Sequence, residues 1–201
     1  MATVIDIGDA LQHGAATLRL PRMTPDEFWE FCRRNPELNV ERNAEGAIVF
    51  FSPTGGGTGK RNSELTRQLG NWAVAQEDLG FAFDSSTLFT LPNGAVRSPD
   101  AAWLRADRWN ALSSEEQERP APICPDFVVE LMSPSDTLAA TQAKMDEYLA
   151  NGVRLGWLLD RKNKRIYVYR LGQPVEELTN PATVSGDPEL PGFVLNLARI
   201  F

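Results

Sequence analysis

Histidine and cysteine are nearly missing from this chain, with one His and two Cys in 201 residues. His13 lies in the leading segment, so a Ser-His-Asp triad or a histidine general base has no candidate in the body of the chain. Cys32 and Cys124 stand far apart and match neither zinc-ligand spacing nor a disulfide framework, which fits a reducing, cytoplasmic location. Long apolar runs are missing too. Nothing approaches the roughly 18 residues of a membrane span, and MATVIDIGDALQHGAATLRL lacks the basic start and unbroken apolar stretch of a signal peptide, so no membrane partner is expected. Positive charge is in deficit: 20 Lys and Arg face 27 Asp and Glu, a net charge of -7. That argues against a protein gripping nucleic acid mainly through a broad cationic surface. It leaves room for carboxylates gathered at a centre with Lys and Arg on one rim.

What is present is core-forming material. Hydrophobic residues make up 42% and charged residues 23%, with five Trp and ten Phe, the composition of a folded protein with a substantial interior. No internal repeat or linker-like tract divides the chain, so we expect an N-terminal arm over residues 1–23 and a single domain over 24–201. Thr24-Pro25-Asp26-Glu27 reads as a capping box with Pro at the first helical position, opening a helix that ends before Pro36. Residues 38–43 and 46–51 read as a hairpin, with Gly46 free to take positive φ. From Asn62 to Gln76, Leu65, Leu69, Trp72 and Ala73 recur at helical spacing. Phe81 to Asp84, Thr87 to Leu91, Val96 to Leu104 and Asp126 to Met132 read as strands, with a short helix capped at Ser113-Ser114 between the last two. An amphipathic helix from Asp136 to Asn151 closes at Gly152, and strands resume over Leu155 to Asp160 and Arg165 to Arg170. A strand, helix, strand sequence inside a meander predicts an α/β fold with a mixed central β-sheet flanked by helices.

Two carboxylates stand out because they sit in strands expected to be buried. Asp100 precedes Ala101-Ala102-Trp103-Leu104, and Glu130 interrupts Phe127-Val128-Val129-Glu130-Leu131-Met132. An ionised group there needs a counter-charge or a metal. Alternation places Glu130 on the face of Asp126, Val128 and Met132, opposite Phe127, Val129 and Leu131. Two such anomalies on consecutive strands fit one shared hard cation, Mg or Mn, with water and phosphate oxygens completing its shell. The competing reading pairs each carboxylate with Arg97 or Arg154. Lys144, on the helix after Glu130, can reach a cleft by snorkelling and position an attacking water, or it is a solvated helix lysine. Glu64 joins the metal shell, or merely satisfies a helix N-terminus. Thr54-Gly-Gly-Gly-Thr-Gly-Lys60 fails the Walker pattern at both ends, since Thr54 stands where Gly is needed and Arg61 where Ser or Thr is needed. As a glycine loop entering a helix with Lys60 and Arg61 it could meet a phosphate, or be a plain mobile loop.

Ser98-Pro99-Asp100, the run Pro125 to Asp136, Lys144-Met145-Asp146-Glu147-Tyr148 and Gly152 to Asp160 together closely resemble the Uma-two family of endonucleases. Ser52 to Gly55 and Asn62-Ser63-Glu64-Leu65 resemble that family's entry to its first core helix, so the similarity runs from about residue 24 to 170. The resemblance implies a restriction-endonuclease-like core of the PD-(D/E)XK superfamily, with Asp100 as the motif Asp and Glu130 as the motif acid. Where that pattern has Lys, two residues after Glu130, this chain has Met132, so the lysine role falls to Lys144 or is absent. The resulting expectation is a Mg-dependent endonuclease acting on DNA, in which Asp100 and Glu130 hold metal, Lys144 positions water and Glu64 assists. The alternatives are a nucleic-acid-binding or regulatory module that keeps the fold without catalysis, and a hydrolase of small phosphoesters. A homodimer through edge strands, Phe193 and Ile200-Phe201 competes with ordinary packing of those residues.

Overall fold

A computed structural model describes residues 21–51, 54–76 and 78–201; the expected arm up to residue 20, with His13, lies outside the described residues. Helix α1 (Pro25–Arg34) starts at the expected capping box: the Thr24 hydroxyl accepts from the Glu27 N–H, and Glu27 accepts from the Thr24 N–H. Strands β1 (Val40–Arg42) and β2 (Ile48–Phe50) form the expected hairpin, shorter than its apolar pattern. Gly46 turns it at φ 85°, a region a Cβ would strain. Helix α2 (Gly56–Ala75) begins earlier than the apolar stripe predicts, because most of the glycine run is wound into its first turns. Only the later part, on Leu65, Leu69 and Ala73, is buried.

The central sheet orders as β10-β9-β8-β7-β6-β3, from β3 (Gly80–Asp84), β6 (Ala101–Arg105), β7 (Phe127–Leu131), β8 (Leu155–Asp160), β9 (Arg165–Arg170) and β10 (Glu176–Thr179). Only β7 and β8 run parallel, joined by the crossover helix α5 (Leu138–Ala150); every other neighbouring pair is antiparallel. The mixed sheet is thus the one the strand, helix, strand pattern predicts. Both faces are covered. Leu65, Leu69 and Ala73 of α2 pack on the Phe127, Val129 and Trp157 face, while Met145 and Tyr148 of α5 pack on the Val128 and Leu158 face. Short helices α3 (Ala106–Trp109) and α4 (Ser114–Gln117) lie between β6 and β7.

Two differences from the sequence reading matter. The stretch Val96 to Leu104, read as one strand, is two. β5 (Val96–Arg97) joins β1, β2 and β4 (Phe89–Thr90) in a separate four-stranded sheet, and only β6 enters the central one. Pro99 has no N–H for a ladder, and the Ser98 N–H donates to Glu41 Oε1 at 2.9 Å instead of to a strand. The break puts Asp100 at the seam between the two sheets. The second difference is the C-terminal segment, where β10 and the hairpin of β11 (Thr183–Ser185) and β12 (Val194–Asn196) have no counterpart in the reading. Phe193 stacks on Trp157 with ring centroids 5.7 Å apart, and Ile200 is fully buried in the same core. Both therefore pack inside this chain and are not free to form a dimer face. No described helix is long and apolar enough to cross a membrane.

Candidate active site

The seam between the sheets opens into a cleft of about 810 Å3. Its walls come from β1 and β2, the first turn of α2, the Ser133 to Thr137 loop and the outward face of α5. Asp100 and Glu130 both line it. The pairing of β6 with β7 sets Ala101 against Val129 and Ala102 against Val128. Asp100 immediately precedes β6, which brings it to the end of that pairing beside Glu130 and Leu131.

Asp100 is held from two sides. Its Oδ2 accepts from the Leu131 N–H at 2.7 Å, and its Oδ1 accepts from the Asn62 side-chain amide, also at 2.7 Å. Among the described residues no cation pairs with it. Burial pushes its pKa above the ordinary carboxyl range, only partly offset by these two donors. Asn62 keeps its own Oδ1 buried without a donor, so an unsatisfied acceptor sits next to an under-neutralised carboxylate.

Glu130 stands at the end of a chain of charges. Its Oε1 accepts from Lys144 Nζ at 2.8 Å and from the Tyr148 hydroxyl at 3.0 Å. The same Nζ lies 2.9 Å from Glu41 Oε1, and the other Glu41 oxygen meets Arg97 Nη1 at 3.0 Å. Arg97 Nε then reaches Glu147 at 2.6 Å. Burial raises the Glu130 pKa to about 7, against the pull of Lys144 and with the push of Asp100 and Glu41. Burial also raises Glu41, but there Lys144 and Arg97 outweigh it and hold the carboxyl below its usual value. Glu41 is therefore ionised at neutral pH while Glu130 is poised near its midpoint. Lys144 is kept charged above its ordinary range because Glu130 and Glu41 together overcome desolvation.

The family described as "Uma2: Putative restriction endonuclease" has a model that matches residues 25–198. This chain belongs to the Uma2 family. Its fold is similar to a crystal structure described as a putative nuclease belonging to DUF820 from Anabaena variabilis ATCC 29413. That protein is 22% identical, and the match covers 89% of this chain and 97% of that one with a TM-score of 0.74. At that identity the likeness speaks for the fold. No curated protein matches the chain.

In this Uma2 chain, then, Asp100, Glu130 and Lys144 line one cleft, and Lys144 is not a solvated helix lysine. The arginine alternative fails for both carboxylates, since Arg97 is spent on Glu41 and Glu147 and the ion pair of Glu130 is with Lys144. Met132, at the superfamily's lysine position, stays half-buried at the cleft edge. Glu64 is not in the cleft. Two residues beyond Asn62, it points to the other side of α2, where its carboxylate accepts from Arg67 and Gln68. The residue of α2 that meets Asp100 is Asn62. Lys60 and Arg61 do not line the cleft either; Arg61 donates to the Ile200 carbonyl at 3.0 Å. Gly55, Gly56 and Gly57 do line it. Helix α2 has Gly55 as its N-cap with no side-chain cap, so its first N–H groups have no side-chain acceptor at the end that lines the cleft.

Sequence reasoning missed Glu41, Asn62 and Tyr148. A signal existed for Glu41, an acidic residue between Val40 and Arg42 in a β-rich stretch, but its burial depends on contacts with Arg97, Ser98 and Lys144, distant in sequence. Among the described residues no cluster of three or more His, Cys, Asp or Glu side chains is arranged to hold a metal. The donor set is smaller, the two carboxylates of Asp100 and Glu130. Hard oxygen donors around a desolvated carboxylate without a cation do fit a divalent ion that keeps several waters.

Proposed function

We propose that this cleft is the active site of a divalent-metal-dependent endonuclease acting on DNA, with Asp100 and Glu130 holding Mg2+ or Mn2+. The observation that carries the reading is the convergence of these two carboxylates on one cleft, Asp100 having no cationic partner among the described residues. When bound, such an ion supplies charge stabilisation at a phosphoryl oxygen and a more acidic water. The chain supplies the rest. Asn62 and the Leu131 N–H fix the Asp100 carboxylate, so its free lone pairs face the cleft. Tyr148 fixes Glu130 by donating to the oxygen that also meets Lys144. Lys144 keeps its proton and acts as a point charge, orienting water and offsetting charge that develops on the phosphate. Because Glu41 also holds the ammonium, Lys144 stays in place when Glu130 turns to a cation. The uncapped start of α2 offers N–H groups to a neighbouring phosphate.

Incubating circular DNA with Mg2+ tests this, because only internal cleavage linearises a circle. The wild type is expected to cut, and Asp100→Ala to lose about a thousandfold in rate, as expected for removal of several kcal/mol of transition-state stabilisation. No Mg2+-dependent cutting by the folded wild type overturns the reading. A second reading, a module that binds nucleic acid without cutting, is favoured by one feature: Glu130 already has an internal counter-ion in Lys144. DNA retention without cleavage would establish it.

A further inference from the structure

Phe51 stands in the cleft wall just past β2, and it is 39% exposed. It belongs to none of the three apolar clusters of the fold. Its backbone is anchored, with the N–H donating to the Asn39 carbonyl at 3.0 Å. Lys144 Nζ lies over its ring, 5.8 Å from the centroid, so the ammonium assigned to the reacting phosphate sits on one face of a ring that is otherwise partly exposed. An aromatic ring with an anchored backbone and partial exposure at such a place is suited to stacking a planar group.

The charges of the cleft bear on which planar group. Three cationic side chains line it, Arg97, Lys144 and Arg161. Arg97 is taken by Glu41 and Glu147, and Lys144 by Glu130 and Glu41; only Arg161 has no ion pair among the described residues. Duplex DNA is held chiefly by neutralising many phosphates, and a chain of net charge -7 with one uncommitted cation in its cleft is poorly equipped to do so. A single strand is held differently, by base stacking that tolerates any sequence and needs few cations. At about 810 Å3 the cleft also lies within the range of sites that enclose small molecules, which suits a short piece of one strand rather than the face of a helix.

We propose that Phe51 is a base-stacking platform and that the cleft takes unpaired DNA, with one base against the Phe51 ring and the adjoining phosphate over Asp100 and Glu130. The placement of that phosphate rests on the nuclease reading above, while the stacking contact can be measured without any cleavage. The test compares a fluorescent single-stranded DNA oligonucleotide with the same sequence in a hairpin duplex. Fluorescence anisotropy is read on the full chain in Ca2+, for the wild type, Phe51→Ala and Phe51→Trp, and cleavage of both substrates is followed in parallel in Mg2+. The single strand should bind the wild type about tenfold or more tighter than the duplex. Phe51→Ala should weaken single-strand binding by roughly five- to a hundredfold, Phe51→Trp should preserve it, and duplex binding should be the same in all three. Because the ring is outside the apolar clusters, all three proteins should melt at the same temperature. Duplex bound as tightly as single strand, or single-strand binding unaffected by Phe51→Ala, overturns the proposal. If Mg2+-dependent cutting persists in that case, the nuclease reading stands without it. If Phe51→Ala loses single-strand binding and the wild type cuts neither substrate, stacking stands and the nuclease reading falls.

Discussion

Asn62 and Glu64 are two residues apart on one helix and work in opposite settings. Two residues turn a helix through roughly 200°, so Asn62 serves the deep cleft and Glu64 faces a shallower hollow of about 550 Å3 beside β12. In the hollow, the charged pair is local: Glu64 and Arg67 are three residues apart on α2, and Arg67 is 53% exposed. In the cleft, Glu41, Arg97, Glu130 and Lys144 come from four separate elements, and their charges are mostly hidden from water. The hollow's pair forms wherever the helix forms. The cleft's network exists only if both sheets and α5 dock, and its buried charges have pKa values displaced in both directions. Charge that only tertiary structure can assemble is the charge available for chemistry here.

The sharpest way to break this contrast is to take the cation out of the network. Lys144→Met keeps the unbranched stem of the side chain but not its ammonium, and leaves Glu130 and Glu41 buried without their shared partner. We expect a loss of about 3 kcal/mol in unfolding free energy, the lower end for breaking a buried pair, since Lys144 keeps 16% side-chain exposure. The pH dependence has a definite sign. A carboxyl whose folded pKa is raised, as for Glu130 at about 7 against 4.5, favours the folded state most below about pH 4.5, and that contribution is lost as pH rises through about 7. Without Lys144 the rise is larger, so the destabilisation should be greater at pH 8 than at pH 5. Urea titrations at the two pH values decide it; equal losses at both would mean that Glu130 and Glu41 do not depend on Lys144.

Much of the frame was legible before any coordinates. The capping boxes at Thr24 and Ser113, the β7-α5-β8 crossover and the strands Leu155 to Asp160 and Arg165 to Arg170 follow from local pattern, because each depends on neighbours in sequence. Asp100 and Glu130 were legible for another reason: a charge in an apolar strand is anomalous in itself. Glu41 could not be read that way. Its strand is three residues long, and its burial comes from contact with Ser98, Arg97 and Lys144, the nearest of them 56 residues away in sequence. The switch of sheet at Pro99 was visible as a proline but not as a change of partner. The C-terminal hairpin was missed because β11 and β12 have only three residues each, too few to show alternation.

A smaller effect is expected at Asn62. Asn62→Ala removes one of the two donors that fix Asp100 and leaves the Leu131 N–H in place. A partner that orients a ligand without binding the metal itself is typically worth 10- to 100-fold, so cleavage should fall by about that factor. Asn62→Asp should do worse, by adding a second negative charge beside a carboxyl already pushed upward by burial. If the alanine variant cuts at the wild-type rate, Asp100 is fixed by its backbone donor alone.

The smallest effect belongs to Glu64, and it bears most directly on the comparison. Read from the sequence, Glu64 was a candidate for the metal shell; in the structure, Arg67 donates to both of its oxygens and Gln68 to one of them, on the far side of α2. Hydrogen bonds from Arg67 are the main reason its pKa lies below the ordinary value, so it is ionised and locally satisfied at neutral pH. A pair three residues apart on one helix, with its arginine 53% exposed, contributes little to folding, and no hydrogen bond or ion pair among the described residues connects it to Asp100. Glu64→Ala should therefore leave Mg2+-dependent cleavage within about twofold of wild type, as surface substitutions generally do, with no change in its metal-concentration dependence. A loss matching that of Asn62→Ala would mean that α2 rotates or shifts when substrate binds, bringing its other face into the cleft. The division between the two settings would then describe only the protein without substrate.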